Sequence, residues 1–389
     1  MPRALFRYGV LLMLAMALLF CQGGIEEISE ESLAPDHRYF DTAPAKSLEI
    51  RLAVFPPAPG DIRAFIQLKE QGIFEPENLI IIGVYHENEH SRYLSTQEMV
   101  KDRDIDWIKF HRLEGNLNQD NLYGKNPFSE EFRNIVAKTD GAVIYGGADI
   151  PPYLYGEKTH LLTGIRTPYR HYLELSFVFH LLGGYQNESL TPLMNSSPEY
   201  PVLGLCLGHQ TLNVGTGGTL FQDVWSQVYG KNFLEDVIVL SRDDWHVNPM
   251  AKLHPEAQLF GSHMHPIKLL TDGKFVQEWG FGGEDAPYIV SAHHQAVNKL
   301  GKGFQVIATT LNGEVVEAMA HTQFPHVLGV QFHPESYSLW DRNRRGRIAL
   351  SEEETSYYEI MENHPPSLEF HQKLWGWFTE KLEVYHSKK

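Results

Sequence analysis

Cysteine is the scarcest reactive residue of this chain, since Cys21 and Cys206 are the only two among 389 residues. Two thiols can form neither the disulfide framework of a small secreted domain nor a cysteine-rich metal site. Because Cys21 lies in a segment that we expect to act in export, Cys206 would be the only free thiol of the mature globular part. A thiol without a partner in an exported protein is a candidate for a reactive role.

Positive charge is also in short supply, because 33 Lys and Arg stand against 49 Asp and Glu, for a formal net charge of −16. A general affinity for nucleic acid backbones is therefore not expected. Histidine is plentiful, but no pair has the His-Glu-x-x-His spacing of a helical zinc site. His263-x-His265 and His293-His294 alone are poor evidence for a metal, so the sequence predicts no metal site and no cofactor.

An apolar run opens the chain, but it is short for a transmembrane helix. Arg3 and Arg7 precede an uncharged run of about a dozen residues, whereas a spanning helix needs roughly 20. We therefore predict an export segment over residues 1–21. Its end, Leu18-Leu-Phe-Cys21, resembles the lipobox of bacterial lipoproteins, although a small residue usually precedes the cysteine. We expect a membrane-anchored lipoprotein on the periplasmic or cell-surface side; ordinary cleavage with secretion and an uncleaved anchor are the alternatives.

The remainder divides into a polar segment and one α/β domain. Residues 22–46 are acidic and weakly hydrophobic, which predicts a flexible tether. Residues 47–389 alternate short apolar strands with helical segments, and the run 79–84 is typical of a strand covered on both faces. Strands near 304–308, 315–319 and 327–333 have hairpin spacing, so we expect an antiparallel portion beside a parallel sheet.

Cys206 lies where a short apolar strand gives way to helical sequence. Gly204 and Gly208 flank it at two residues on either side, which suits the sharp strand-to-helix turn of a nucleophile elbow. The N-terminal amides of the following helix would favour the thiolate form of the cysteine. On this stretch alone, a buried structural cysteine is an equal alternative.

A second candidate segment, His333-Pro334-Glu335, follows directly after an apolar strand. A thiol nucleophile needs a base and a third group that orients that base, and a histidine with a nearby carboxylate provides both. In a parallel sheet, the strand that carries His333 could end beside the strand that carries Cys206. The alternative is a surface histidine with no catalytic role.

Several segments, in the same order along the chain, resemble class I glutamine amidotransferases. They are Gly204-Leu-Cys206-Leu-Gly-His-Gln210, Gly217-Gly-Thr-Leu-Phe-Gln-Asp223 and Gly329-Val-Gln-Phe-His333-Pro-Glu335. Within that superfamily, three more segments are closer to the stand-alone gamma-glutamyl hydrolases. These are Tyr145-Gly-Gly-Ala-Asp149-Ile-Pro-Pro-Tyr-Leu-Tyr-Gly156, the helix with Arg170 and Glu174, and Ser291-Ala-His293-His294-Gln295-Ala-Val. Together they cover roughly residues 140–335.

The resemblance implies a flavodoxin-like α/β fold with a mostly parallel sheet between helices and an antiparallel extension. It also implies a triad of Cys206, His333 and Glu335 that cleaves a gamma-glutamyl amide or peptide bond through a thioester. The expected partner is therefore a small gamma-glutamyl substrate. The resemblance places the oxyanion donors at the backbone amides of Gly147 and Leu207.

In the same family, the positions of Gln210 and of His293 or His294 line the substrate pocket. Two departures leave the substrate open: Arg170-His171 stands where these hydrolases usually have Arg-Asp, and Leu207 stands where they have Arg. The arginines between residues 342 and 347 are expected in a solvated loop, with a cationic lid as the alternative.

Two other functions compete with the hydrolase interpretation. One is a glutaminase subunit that passes ammonia to a synthetase partner, although the predicted export segment disfavours a cytoplasmic partner. The other is an exported binding protein that has the fold but no activity, although the intact cysteine, histidine and glutamate disfavour it. The oligomeric state is left open by the sequence.

Overall fold

A ten-stranded sheet lies between helices, which cover both of its faces. The computed structural model describes residues 37–389, so the predicted export segment and most of the predicted tether lie outside the described residues. The strands are β1 Ile50–Phe55, β2 Leu79–His86, β3 Ile108–Leu113, β4 Gly141–Ile144, β5 Val202–Leu205, β6 Thr219–Phe221, β7 His263–Leu269, β8 Tyr288–Ser291, β9 Ala296–Lys299, β10 Phe304–Thr310, β11 Val316–His321 and β12 Val327–Val330.

The helices of the described residues range from single turns to the long helix at the end of the chain. They are α1 Tyr39–Thr42, α2 Pro59–Glu70, α3 His90–Asp102, α4 Ser129–Lys138, α5 Pro168–Leu182, α6 Leu207–Gly215, α7 Val224–Gln227, α8 Leu234–Val237, α9 Pro249–Leu253, α10 Lys274–Gln277, α11 Tyr337–Trp340, α12 Tyr357–Glu362 and α13 Pro365–Lys388. Within residues 37–389, none of these helices has both the length and the apolar character to cross a bilayer.

The strand order confirms the predicted fold class. Strands β3-β2-β1-β4-β5-β12 are parallel, and β11, β10, β7 and β8 continue the sheet in antiparallel pairing. Without the edge strand β3, the parallel part has the 2-1-3-4-5 order of flavodoxin-like sheets. In such sheets, ligands bind beyond the carboxyl ends of the strands, near the point where the strand order reverses. Here that point lies between β1 and β4.

Alternating side chains of the central strands feed two separate hydrophobic layers. All six residues of β1 are buried, with Leu52 and Val54 packing into one layer and Ala53 and Phe55 into the other. Helices α2 and α13 cover the first layer, and helices α4, α5 and α6 cover the second. This double coverage explains why the strands are continuous apolar runs in the sequence.

The N-terminal boundary of the domain lies earlier than the predicted residue 47. Arg38 forms a bridge to His111 of β3 and an ion pair of 3.0 Å with Glu131. Phe40 is fully buried, and its ring centroid lies 4.6 Å from that of His111. One large apolar side chain and one paired cation therefore hold the last part of the predicted tether against the sheet.

Candidate active site

Cys206 occupies the turn between β5 and α6 with backbone angles of φ 52° and ψ −104°. A non-glycine residue in such a conformation costs on the order of 1–3 kcal/mol and persists only where its surroundings impose it. The flanking glycines provide that constraint, because a Cβ on Gly208 would lie 2.6 Å from the carbonyl carbon of Ile144 and a Cβ on Gly204 would lie 2.7 Å from the backbone of Gly208. The turn has the geometry of a nucleophile elbow.

His333 lies beside this turn because β5 and β12 are adjacent parallel strands. Leu205 is in register with Val330, and the amide of Cys206 donates to the carbonyl of Val330 at 2.9 Å. The His333 Nδ1 atom lies 2.7 Å from Oε1 of Glu335, whose side chain is 8% exposed. The predicted base and its orienting carboxylate are therefore paired at the carboxyl end of the strand.

The charge on His333 is set by its two neighbours. Burial alone would lower the pKa of the imidazole, but Cys206 and Glu335 both favour the protonated ring and raise this pKa well above its usual range. A protonated imidazole beside a sulfur stabilises the thiolate, which is the nucleophilic form of cysteine. The pair is therefore poised as an imidazolium and a thiolate.

The glycine loop after β4 lies directly over the cysteine. A Cβ on Gly146 would lie 3.2 Å from Cε1 of His333 and 3.5 Å from Cβ of Cys206. A Cβ on Gly147 would lie 3.3 Å from a methyl carbon of Leu207. The residues of the two predicted oxyanion donors, Gly147 and Leu207, therefore flank the thiol, and Leu207 begins a helix whose first amides lack intrahelical acceptors.

Arg170 of α5 holds this loop in place. Its guanidinium donates to the carbonyls of Gly146 at 2.8 Å and Tyr145 at 2.7 Å, and to Oε1 of Glu174 at 2.6 Å. The Glu174 side chain is only 1% exposed, and burial raises its pKa to about 7 although Arg170 opposes the shift. The sequence indicated this pair without a role; in the structure it fixes the backbone over the nucleophile.

Gln210 lies behind the nucleophile, although its family position lines the substrate pocket. Its side chain is buried, and Nε2 donates to the carbonyl of Gln295 at 3.1 Å and to Oε1 of Gln331 at 3.2 Å. Gln331 in turn directs its Nε2 at the Cys206 sulfur, at 3.8 Å. Sequence reasoning did not single out Gln331, but its position two residues before His333 places both side chains on one side of an extended chain.

The two adjacent histidines face different environments. His294 lies 3.1 Å from Asp149 and 3.4 Å from Asp223; burial lowers its pKa, but the two carboxylates outweigh this and raise the pKa to about 9. His293 points inward, and burial followed by its neighbour His246 lowers its pKa well below the usual range. Of the two predicted substrate contacts, only His294 borders a pocket.

An open pocket of about 440 Å³ adjoins the glycine loop. It is lined by Gly147, Ala148, Asp149, Leu162, Gly164, Arg166 and His294. The pocket thus offers two cations and a carboxylate next to the predicted oxyanion donor.

Asp61, at the start of α2, is a further acidic group of the site that sequence reasoning missed. It borders a second cleft together with Glu335, and burial raises its pKa to about 8 although Arg170 favours the charged form. The only signal in the sequence is its place directly after β1, because such residues lie at the carboxyl edge of the sheet.

The arginines beyond Glu335 mostly form surface pairs. Arg342 lies 2.7 Å from Glu362, and Arg345 lies 3.0 Å from Glu359. Only Arg344 borders the cleft that contains Asp61 and Glu335. This agrees with a solvated loop for most of the cluster.

The fold and this site together define a class I glutamine amidotransferase-like protein with a cysteine elbow. The chain belongs to the Peptidase C26 family, whose model matches residues 125–335, more than half of the chain. That range includes Gly147, Cys206, His333 and Glu335. The family and the resemblance inferred from the sequence therefore agree.

Relatives with assigned names support the same family. The chain is 31% identical over 208 residues to the glutamine amidotransferase-like protein YvdE of Lactococcus lactis, covering 53% of this chain and 70% of that protein. It is 26% identical to a glutamine amidotransferase-like protein of Rickettsia prowazekii, covering 53% and 74%. It is 30% identical to a glutamine-hydrolyzing GMP synthase component of Methanothermobacter thermautotrophicus, covering 38% and 57%.

Proposed function

We propose that the protein is a cysteine-dependent hydrolase of gamma-glutamyl amide or peptide bonds. The observation that carries the proposal is the convergence of a strained Cys206, the His333–Glu335 pair and the Gly146–Gly147 loop at one edge of the sheet. Membership of the Peptidase C26 family supports hydrolysis as the general reaction.

The first half of the reaction forms a thioester. The Cys206 thiolate attacks the gamma carbonyl carbon, and the oxygen of that carbonyl becomes an oxyanion between the amides of Gly147 and Leu207. His333 donates its proton to the leaving nitrogen, while Glu335 holds the ring through Nδ1. Loss of one oxyanion donor typically costs on the order of 100-fold or more in rate.

The second half regenerates the enzyme. A water molecule gives its proton to the now neutral His333 and adds to the thioester carbonyl. Collapse of this second tetrahedral intermediate releases glutamate and restores the thiolate beside the imidazolium. No cofactor takes part in this scheme.

The pocket beside Gly147 fits the polar end of such a substrate. A gamma-glutamyl group carries an α-carboxylate and an α-ammonium group, and the pocket has cations at His294 and Arg166 and a carboxylate at Asp149. We assign His294 and Arg166 to the carboxylate. Gln210 and His293 support the site from behind, since their side chains are buried.

The test is release of amine or ammonia by the full chain from gamma-glutamyl peptides, poly-gamma-glutamate and glutamine. Cys206→Ala is expected to abolish release while preserving the circular dichroism spectrum. Cys21→Ser is the matched control, because it removes the other thiol and should leave the rate unchanged. No release from any substrate, together with no labelling of Cys206 by iodoacetamide, would refute the proposal.

A glutaminase component of an amidotransferase is the second candidate, since the name of one relative describes part of a glutamine-hydrolyzing synthase. Hydrolysis of glutamine only after a partner protein is added would favour this alternative. We further propose export with a lipid on Cys21, as the N-terminal sequence indicates.

A further inference from the structure

Three histidines and one glutamate converge on a single buried point beside the catalytic site. His246 Nδ1, His265 Nε2 and His293 Nε2 lie 3.5, 3.7 and 3.9 Å from Oε1 of Glu317. None of these four side chains is more than 2% exposed. They come from β7, from β11, from the loop between β8 and β9, and from the segment that precedes β7.

The atoms that face this point have no hydrogen-bond partner among the described residues. This holds for the three ring nitrogens and for both carboxylate oxygens of Glu317. Separations of 3.5 to 3.9 Å are too long for hydrogen bonds. A buried polar atom is rarely left unpaired in a native protein, so five at one point require an explanation.

The outward nitrogens show which atoms carry the protons. His265 Nδ1 and His293 Nδ1 lie 3.2 and 2.8 Å from the backbone carbonyls of Pro266 and Gln295. A carbonyl can only accept, so these outer nitrogens are N–H donors and the inner nitrogens of the neutral rings carry lone pairs. His246 has a similar outer partner, because its Nε2 lies 3.1 Å from the Tyr229 hydroxyl.

Lone pairs that face a carboxylate repel it unless a cation lies between them. If Glu317 were protonated, its single proton could satisfy only one of the three histidines. We infer that His246, His265, His293 and Glu317 bind a divalent zinc ion. Outer hydrogen bonds that fix the tautomer and the ring orientation are a regular feature of histidine metal ligands.

The geometry fits tetrahedral zinc after a small contraction. Zinc bonds of about 2.0–2.2 Å place neighbouring ligand atoms roughly 3.3–3.6 Å apart. The observed separations from Glu317 exceed this by at most a few tenths of an ångström. Four buried protein ligands and no open position describe a structural site rather than a catalytic one.

The proposed ion would stabilise the wall behind the nucleophile without touching the substrate. The carbonyl of Gln295 accepts hydrogen bonds from both His293 and Gln210. The carbonyl of Glu317 accepts from the amide of Gln331, whose side chain contacts the Cys206 sulfur. Loss of the ion would therefore loosen both glutamines.

The test measures metal content and stability of the full chain, purified without a histidine tag. About one zinc per chain is expected by elemental analysis, and dialysis against a strong chelator should lower the Tm by several degrees until zinc is restored. His265→Ala and the isosteric Glu317→Gln should each reduce bound zinc at least tenfold and abolish the zinc-dependent rise in Tm.

His263→Ala is the matched control, because His263 is a buried histidine on the same strand whose Nε2 lies 3.0 Å from the carbonyl of Arg242. This variant should retain zinc. A folded, zinc-free protein whose Tm responds to neither chelator nor added zinc would overturn the inference. Equal loss of zinc from the His263 and His265 variants would also overturn it. Neither readout depends on hydrolase activity.

Discussion

Arg170 offers the sharpest test of how the glycine loop is held over the nucleophile. Arg170→Met removes the donors to the carbonyls of Tyr145 and Gly146, and it leaves the buried Glu174 without its cation. Arg170 touches no reacting atom in our proposal, so it acts as a positioning residue. Its loss should therefore affect the orientation of the Gly147 amide rather than the triad itself.

The expected magnitudes follow from these contacts. Removing one partner of a buried ion pair typically destabilises a protein by about 3–5 kcal/mol. Protonation of Glu174 limits this loss, because burial already raises the pKa of its carboxyl to about 7. A displaced oxyanion donor should lower kcat on the order of 100-fold with little change in KM.

Urea denaturation and steady-state kinetics on a gamma-glutamyl substrate separate the two effects. Arg170→Met/Glu174→Gln removes the unpaired carboxylate, so it should recover about 1–2 kcal/mol of stability without recovering kcat. Arg133→Met is the control, because its ion pair with Glu130 is largely exposed and should contribute at most about 1 kcal/mol. A single Arg170→Met variant with nearly wild-type kcat would refute the positioning role.

Three other expectations concern the elbow, the pocket and the N-terminus. Gly208→Ala should destabilise the protein in urea by about 1–3 kcal/mol or more and abolish hydrolysis, since the added carbon overlaps the Ile144 carbonyl. His294 has a folded pKa of about 9 against 6.5 ordinarily, so its stabilisation is complete below pH 6.5 and is lost towards pH 9. The stability difference between wild type and His294→Gln should fall across that window from about 1–2 kcal/mol, and a constant difference would contradict the assignment. Cys21→Ser should prevent incorporation of radiolabelled palmitate in a bacterial host.

The triad positions could be predicted because their signals are local in the chain. The glycines on either side of Cys206 describe the turn, and Glu335 lies only two residues from His333. The strands that carry these residues are continuous apolar runs, which the double helical cover of the sheet makes easy to recognise. The family resemblance added the oxyanion loop, which no local pattern would have indicated.

The segment between residues 86 and 128 could not be predicted for the opposite reason. Helix α3 buries only Tyr93, Thr96 and Val100, so its apolar periodicity is weak. Strand β3 lies at the edge of the sheet and includes Lys109 and Arg112 among its six residues. Polar edge elements of this kind have no clear hydrophobic pattern.

The histidine cluster was out of reach for a different reason. Its members are spread from His246 to Glu317, and they meet only because β7 and β11 both pair with β10. Adjacent residues of an extended chain point to opposite sides, so His293 and His294 had to face different surroundings. The sequence alone did not show which of them would face the pocket.

The segment around Phe40 also affects the solubility of the protein. Strand β3 is an end strand of the sheet, and such edges carry unpaired backbone groups that promote association with other chains. The antiparallel bridge between Arg38 and His111 and the burial of Phe40 cover part of that edge. A chain shortened to begin at residue 47 would expose this edge, so it should aggregate more readily than one that keeps Arg38.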